Sequence, residues 1–262
     1  MIAPDDPRIA DYAHVGDSDW LVAQGLFVAK GRLVVRRMVE SGAFTIRSIL
    51  LTLAARAALA DVLDSSRLPV YVCEQQTMNA VAGFNFHRGC LALGVRPPAN
   101  DSLDRFTGVS RLLALEGVGN PDNVGGLFRV AAAFGVGGVL LDRTTGDPLY
   151  RKAIRTSMGA SLRIPFARVD SWWPALQSWR SAGALIAALT PDPAATPISE
   201  CAQGMPSDRP LILMLGAEGP GLSVETLQAA DARVRIPIAA AVDSLNVVVA
   251  AGIALAIFGS QR

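Results

Sequence analysis

The feature that most constrains the fold of this sequence is a series of unbroken apolar runs that alternate with helical patterns after residue 107. The strand-like runs are SRLLALEGV, GGVLLD, ALIAALT, PLILMLGAEG and ARVRIPIA. Strands that are apolar on both faces are typical of a parallel sheet covered by helices on each side. The predicted helices are VGGLFRVAAAFGV, ALQSWRSAG, ETLQAADA and SLNVVVAAGIALAIF. The last is apolar on every side, which indicates that it is buried.

Residues 20–95 show a shorter alternation of the same kind. VAKGRLVVRRMVESG and AARAALADVLDSS carry helical spacing, whereas FTIRSILLT, LPVYVCE and CLALGV are strand-like. The segment RPPANDSLDRF at 96–106 has the prolines and polar residues of a linker. We therefore predict two domains, a small α/β domain over 1–100 and a larger parallel-sheet α/β domain over 107–262.

Composition narrows the class of protein. The chain is 51% apolar and 18% charged, which excludes a disordered chain. Its longest uncharged apolar run, Val247 to Phe258, has twelve residues, against the roughly 20 that a membrane span needs. The acidic first residues lack a basic region followed by an apolar one, so we expect no secretory signal. The 3 cysteines lack C-x-x-C spacing and there are only 2 histidines, so we expect a cytoplasmic protein without a metal site.

The net charge of +1 arises from 24 basic and 23 acidic residues and indicates no particular partner. The charges are locally uneven, because the stretch 143–180 holds seven basic residues and two acidic ones. Such a stretch is either a solvated surface or a patch that faces phosphate groups. Both interpretations apply to its central residues, Arg151, Lys152, Arg155, Arg163 and Arg168, and to the arginines Arg32, Arg36, Arg37, Arg47 and Arg88 of the first domain.

Ligands of open α/β sheets bind outside the carboxyl ends of the strands, and three unusual loops lie there. The first, LEGVGNPDNVGGLFRVAAAFG (115–135), opens a helix and suits an anion. It has Asp122 where a dinucleotide fingerprint needs glycine, and it has no P-loop lysine. The other two are LILMLGAEGPGLS (211–223) and RIPIAAAVDSLNVVVAAGIALAIF (235–258). Taken singly, each has a purely structural explanation: Asn123 as a cap, Arg129 in an ion pair with Glu116 or Glu218, and Asp243 or Ser244 as the cap of the last helix.

Taken together, NPDNVGGLFR, LGAEGPGLS and IPIAAAVDSLNVVVA closely resemble the three signature motifs of the SpoU/TrmH branch of the SPOUT RNA methyltransferases. RTSMGASLRIPF (155–166) resembles the stretch between the first two motifs, and GFNFHRGCLALG a strand of that family's substrate-binding domain. The resemblance implies a deep trefoil knot in the second domain and a homodimer. It also implies S-adenosylmethionine as methyl donor and a ribose 2′-hydroxyl as acceptor. The partner would be RNA, ribosomal in preference to transfer RNA, with neither DNA nor membrane involved.

The resemblance also assigns residues by position. The catalytic set would be Asn123, Arg129, Glu218, Ser244 and Asn246. The cofactor would be held by Leu215, Gly216, Glu218, Gly221, Ile236, Ile238, Ser244 and Leu245, with no metal ligands. Val248 departs from the family pattern, which often has serine there.

The chemistry leaves the role of Arg129 open. Some accounts of the family make this arginine the base, although an arginine side chain is effectively always protonated. The alternative is a bidentate grip on the phosphate beside the target ribose, through which the proton could leave. Two other functions are compatible with parts of the sequence: an RNA-binding protein that has lost catalysis, and a nucleotide-dependent oxidoreductase. The complete catalytic set speaks against the first, and Asp122 in place of glycine speaks against the second.

Overall fold

The computed structural model describes residues 1–83, 85, 88–98, 103–206, 208–239 and 241–259. His87 of the predicted substrate-domain strand and residues 99–102 of the predicted linker lie outside the described residues. The chain divides into two compact units. The first consists of Met1–Pro98 and Pro148–Arg163, and the second of Ala99–Asp147 and Ile164–Arg262, as far as these ranges are described. Residues 148–163 thus group with the first unit; the predicted division into a target-selecting and a catalytic domain stays a prediction.

The strands, in chain order, are β1 (Leu26–Lys30), β2 (Ile46–Leu51), β3 (Val70–Val72), β4 (Cys90–Val95), β5 (Arg111–Glu116), β6 (Gly138–Leu141), β7 (Phe166–Arg168), β8 (Leu185–Leu189), β9 (Thr196–Pro197), β10 (Leu211–Gly216) and β11 (Ala232–Arg235). The helices are α1 (Ser18–Ala23), α2 (Arg32–Ser41), α3 (Leu53–Ala58), α4 (Ala60–Leu63), α5 (Gln75–Ala82), α6 (Pro121–Ala133), α7 (Arg151–Thr156), α8 (Trp172–Ser181), α9 (Ile198–Gln203), α10 (Val224–Ala229) and α11 (Val247–Gly259). Short 3₁₀ helices cover Pro7–His14, Asp104–Phe106 and Ala160–Leu162.

The first unit is built on a mixed sheet with the strand order β1-β4-β2-β3. Strand β4 is antiparallel to β1 and β2, and β2 is parallel to β3. The sequence prediction of one helix over VAKGRLVVRRMVESG is wrong in its first part, which forms the end of β1. Gly31, with φ 97°, separates β1 from α2, a conformation that glycine adopts without steric cost. The helix then ends at Gly42 as predicted, with φ 59°.

The second unit contains a seven-stranded sheet with the order β7-β6-β5-β10-β8-β11-β9. Every pairing in it is parallel. Strands β5, β6 and β10 are almost completely buried, as expected where helices cover both faces. This confirms the predicted α/β fold with a parallel sheet. Across the described part of the chain, no helix has the length and apolar character needed to cross a bilayer.

Candidate active site

The first of the three predicted loops places Asn123 inside the second unit. Strand β5 ends at Glu116, and Asn120 accepts a hydrogen bond from the backbone N–H of Asp122 at 2.9 Å, which caps α6. Pro121 occupies the first helical position, where its missing N–H costs nothing. Asn123 is therefore not the cap. It lies in the first turn with only 6% of its surface exposed.

Side chains from all three motifs meet at this point. The Asn123 side-chain amide donates to Glu218 Oε1. Asn246 Nδ2 donates to Asn123 Oδ1 at 3.1 Å and lies 3.5 Å from Glu218 Oε1. We call Asn123, Glu218 and Asn246 the polar triad. Its members come from positions as far apart as 123 and 246, and a buried amide needs such partners because an unsatisfied polar group is costly.

Asn246 also begins the last helix. Its Oδ1 accepts from the backbone N–H of Val248 at 2.9 Å, and its carbonyl accepts from that of Ala250 at 2.9 Å. The prediction that Asp243 or Ser244 caps α11 is therefore wrong: Asn246 does so. At Gly126 in α6, an added Cβ would lie 2.7 Å from Val248 Cγ2. Helices α6 and α11 thus touch through glycine, and Val248 fills the space beside it.

The second loop folds back on its own strand. Ala217 pairs with Gly221 in an isolated β-bridge, and Gly219 and Gly221 have φ values of 86° and 71°. A Cβ at Gly216 would lie 2.2 Å from the carbonyl carbon of Gly221. Gly216 is therefore required by the approach of the loop backbone, whether or not a ligand is bound.

Glu116 fixes the far side of this loop. Its carboxylate accepts from the backbone N–H and the hydroxyl of Ser223 at 3.0 and 2.9 Å, and from Thr226 Oγ1 at 2.9 Å. These bonds hold the start of α10. The alternative ion pair of Arg129 with Glu116 or Glu218 is not formed among the described residues.

Asp142, after β6, holds the first loop. Its carboxylate accepts from the backbone N–H groups of Gly117 at 3.1 Å and Thr145 at 2.7 Å, and from the Thr144 hydroxyl. Burial acts to raise the pKa of Asp142, but hydrogen bonds from Thr144, Thr145 and Gly117 together bring it below its ordinary value.

A cavity of about 370 Å³ lies outside the carboxyl ends of β8, β10 and β11. The structure brings all eight predicted cofactor-binding residues to its wall: Leu215, Gly216, Glu218, Gly221, Ile236, Ile238, Ser244 and Leu245. Asn246 also lines it, whereas Asn123 lies outside the lining and contacts Glu218 and Asn246. Sequence reasoning missed Leu189, Thr190 and Pro191, which complete the wall at the end of β8. Their position directly after an apolar strand is the signal that could have found them.

Arg129 lies apart from the cavity. It is exposed, and no hydrogen bond or ion pair joins it to any residue that the structure describes. Six residues along a helix correspond to about 9 Å of rise and about 240° of rotation, so Arg129 and Asn123 lie on different sides of α6.

Comparison with known proteins gives consistent matches. The model of the SpoU rRNA Methylase family matches residues 110–256. A protein of Mycobacterium bovis named as an uncharacterized tRNA/rRNA methyltransferase is 37% identical over 255 residues, covering 96% of this chain and 88% of its own. The SpoU methyltransferase AviRb from Streptomyces viridochromogenes, solved in complex with AdoMet, has a TM-score of 0.81 at 23% identity, covering 98% and 99% of the two chains. A solved RNA 2′-O ribose methyltransferase has a TM-score of 0.75 at 23% identity, covering 99% and 98%.

Proposed function

The chain belongs to the SpoU rRNA methylase family, and on that premise we propose that it transfers a methyl group from S-adenosylmethionine to a ribose 2′-hydroxyl of RNA. The observation that carries the proposal is the polar triad. Three loops that are distant in sequence converge through Asn123, Glu218 and Asn246 beside one cavity. The ribose assignment is supported by the related fold of an RNA 2′-O ribose methyltransferase.

The cavity fits S-adenosylmethionine in its chemistry. Its volume of about 370 Å³ lies in the range of small-molecule sites, which combine apolar walls with a few polar groups. Leu215, Ile236 and Ile238 supply apolar surface for a flat base. Glu218 is the one carboxylate among the described lining residues and offers an anionic partner to a positively charged donor. AdoMet is bound in the related AviRb structure.

The triad residues have different tasks in this proposal: Glu218 is the anionic partner of the methyl donor, and the two asparagines position it. S-adenosylmethionine supplies a methyl group made electrophilic by its sulfonium. Asn123 holds Glu218 through its amide, and Asn246 fixes both the triad and the start of α11. Transfer forms a C–O bond, breaks a C–S bond and releases the hydroxyl proton. Arg129 orients the phosphate next to the ribose by a bidentate contact, and a phosphate oxygen takes the proton and passes it to water.

We also propose a homodimer. Helix α11 is apolar throughout, yet Val249 is 50% exposed and Ala256 is exposed as well. A two-fold interface over α6 and α11 would cover this surface and bring Arg129 next to the partner's cavity. The trefoil knot of the family is part of the same proposal. It is supported by the strand order, in which the late strand β10 lies between β5 and β8 and the chain then continues to β11 beyond β8.

The test is methyl transfer from tritiated S-adenosylmethionine to RNA of a strain that lacks the gene. Ribosomal RNA is the expected acceptor, and transfer RNA forms the second arm. A 2′-deoxy nucleotide at the mapped position should abolish transfer, whereas persisting transfer would point to a base atom. Glu218→Gln should lower S-adenosylmethionine affinity measured by calorimetry. The matched control is Glu225→Gln, which changes an exposed acid on α10 outside the cavity and should bind normally.

A further inference from the structure

The first unit contains a strongly basic cavity that is lined by none of the residues assigned above to methyl transfer or to the cofactor. Its volume is about 530 Å³, and its cationic lining consists of Lys30, Arg88, Arg151, Lys152 and Arg155. A second cavity of about 400 Å³ shares Lys30, Arg88 and Arg155 and adds Arg32. No Asp or Glu is among the described residues that line either one. We call these two adjoining spaces, which share three cationic lining residues, the basic cavity.

Three chain segments that are distant in sequence supply the cationic lining of the basic cavity. Lys30 ends β1, and the backbone N–H of Gly31 donates to the Cys90 carbonyl at 2.9 Å, which brings the turn before β4 alongside. A Cβ at Gly31 would lie 3.1 Å from Arg88 Cδ, so the Arg88 side chain lies across this glycine. The opposite wall comes from α7, which packs against β1 and carries Arg151 and Arg155.

This arrangement places like charges close together. Burial lowers the pKa of Lys30, and the positive charges of Arg151, Arg88 and Arg155 add to that effect. Clustered cations repel one another, so the arrangement works against the stability of the empty unit. An anion bound in the cavity would attract these cations and offset their mutual repulsion.

Several basic residues singled out in the sequence lie outside the basic cavity and have structural partners. Arg36 forms a bidentate contact with Asp61 at 2.6 and 2.8 Å, and Arg37 donates to the Met158 carbonyl. Arg47 pairs with Asp11 at 2.9 Å. Arg168 donates to the carbonyls of Asp142 and Thr145 at 2.6 and 2.9 Å. Arg151 both lines the basic cavity and has a structural partner, since it donates to the Val15 carbonyl at 3.4 Å.

We propose that the basic cavity binds consecutive phosphodiester groups of the RNA substrate, with Arg88 and Arg155 as positioning residues. Guanidinium groups match phosphate oxygens in a planar, bidentate geometry. Two adjoining spaces that share three cations suit neighbouring phosphates of one strand better than a single small anion. Contacts of this kind fix register and orientation and carry no sequence information. The identity of the ligand as RNA rests on the proposed function.

The test measures the affinity of the full-length protein for ribosomal RNA from the deletion strain as a function of salt concentration. Arg88→Gln and Arg155→Gln should each weaken binding on the order of tenfold at low salt and reduce the slope of log K against log salt by about 1. The methyl-transfer KM should rise while kcat is retained. The matched control is Arg163→Gln, since Arg163 is exposed in the same segment but lines neither space.

The melting temperature separates a binding role from a structural one. Removing one of several clustered cations should leave it unchanged or raise it, whereas a structural role predicts a fall. Unchanged slopes in both variants, or an equal change in Arg163→Gln, would overturn the proposal. If inorganic phosphate instead stabilises the protein in a way that depends on Arg88 and Arg155, while the RNA salt slopes stay unchanged, the ligand of the basic cavity is a free anion. That result would also overturn the proposal. If the variants alter the RNA salt slopes but the protein methylates no RNA, the proposed function is refuted and the RNA-binding role of the basic cavity stands.

Discussion

Replacing Asn123 by Asp tests the polar triad most directly. The two side chains have the same shape, so packing around this buried position is preserved. The amide nitrogen that now donates to Glu218 Oε1 becomes a carboxylate oxygen. Two negatively charged carboxylates then face each other at hydrogen-bond distance. Asn246 Nδ2 is the one side-chain donor of the triad that remains for both of them.

The expected cost follows from the burial of the pair. Asn123 is 6% exposed, whereas Glu218 is exposed, so the effective dielectric constant lies between that of a protein surface and that of water. Two unit charges about 4 Å apart then repel by about 1 to 4 kcal/mol. Each kcal/mol lowers the melting temperature of a chain of this size by about 2 to 4 °C. Binding of S-adenosylmethionine should weaken as well, because Glu218 and Asn246 line the cavity.

The assay compares three proteins by thermal unfolding and calorimetric titration: the parent, Asn123→Asp, and Asn123→Asp combined with Glu218→Gln. The double variant should regain stability, because the amide introduced by Glu218→Gln can donate to the new carboxylate. The like charge raises the folded-state pKa of the carboxyl pair. The stability deficit of Asn123→Asp should therefore shrink as the pH falls through that raised pKa. A deficit that neither Glu218→Gln nor acid relieves would refute the triad geometry.

Two further predictions concern the acceptor side and the first loop. Arg129→Ala should keep its melting temperature and cofactor affinity yet lose orders of magnitude of methyl transfer, with little rescue by Lys, which lacks the planar fork. Mixed dimers of Arg129→Ala and Glu218→Gln protomers should regain part of the activity, because one of their two sites combines an intact Arg129 with an intact Glu218 of the other protomer. Inactive mixed dimers would show that Arg129 acts in the site of its own chain. Asp142→Asn should cost about 1 to 2 kcal/mol by thermal unfolding, because an amide cannot accept all three bonds. Since the pKa of Asp142 is lowered, this contribution is present near neutrality and is lost in acid, so the gap between parent and variant should close below about pH 4.

The sheet of the second unit was predictable where strands are long and buried. β5, β6, β8 and β10 coincide with apolar runs, because a strand covered on both faces is apolar along nearly all of its length. In β5, polar residues stand only at the two ends, Arg111 and Glu116. The strands β7 and β9 were missed. They have three and two residues and lie at the two edges of the sheet, where burial is partial and no apolar run is required.

The site was predictable to the extent that its residues belong to motifs. The loop motifs named Asn123, Glu218 and Asn246, and the structure brings these three together. Their partners depend on tertiary packing, which explains why sequence spacing alone favoured Asn123 as a cap. Thr190 and Pro191 belong to no motif, and they line the cavity only because β8 lies next to β10.

The grouping of Pro148–Arg163 with the first unit leads to a final prediction about fragments. The fragment 107–262 contains this segment but lacks the elements it packs on: α7 packs against β1, and the turn Ala160–Leu162 against α2. Ile154 and Leu162 are buried in the full chain. Exposing two such side chains costs about 3 to 6 kcal/mol, a large part of the roughly 5 to 15 kcal/mol that stabilises a typical protein.

We therefore expect the fragment 107–262 to aggregate during size-exclusion chromatography. The same fragment with residues 148–163 replaced by a Gly/Ser linker of equal length should be monodisperse and bind S-adenosylmethionine, because no residue of that segment lines the cavity at the ends of β8, β10 and β11. If the unmodified fragment is monodisperse and binds as well as the full chain, the segment does not depend on the first unit. The predicted boundary at 107 would then describe the chain better than its compact units do.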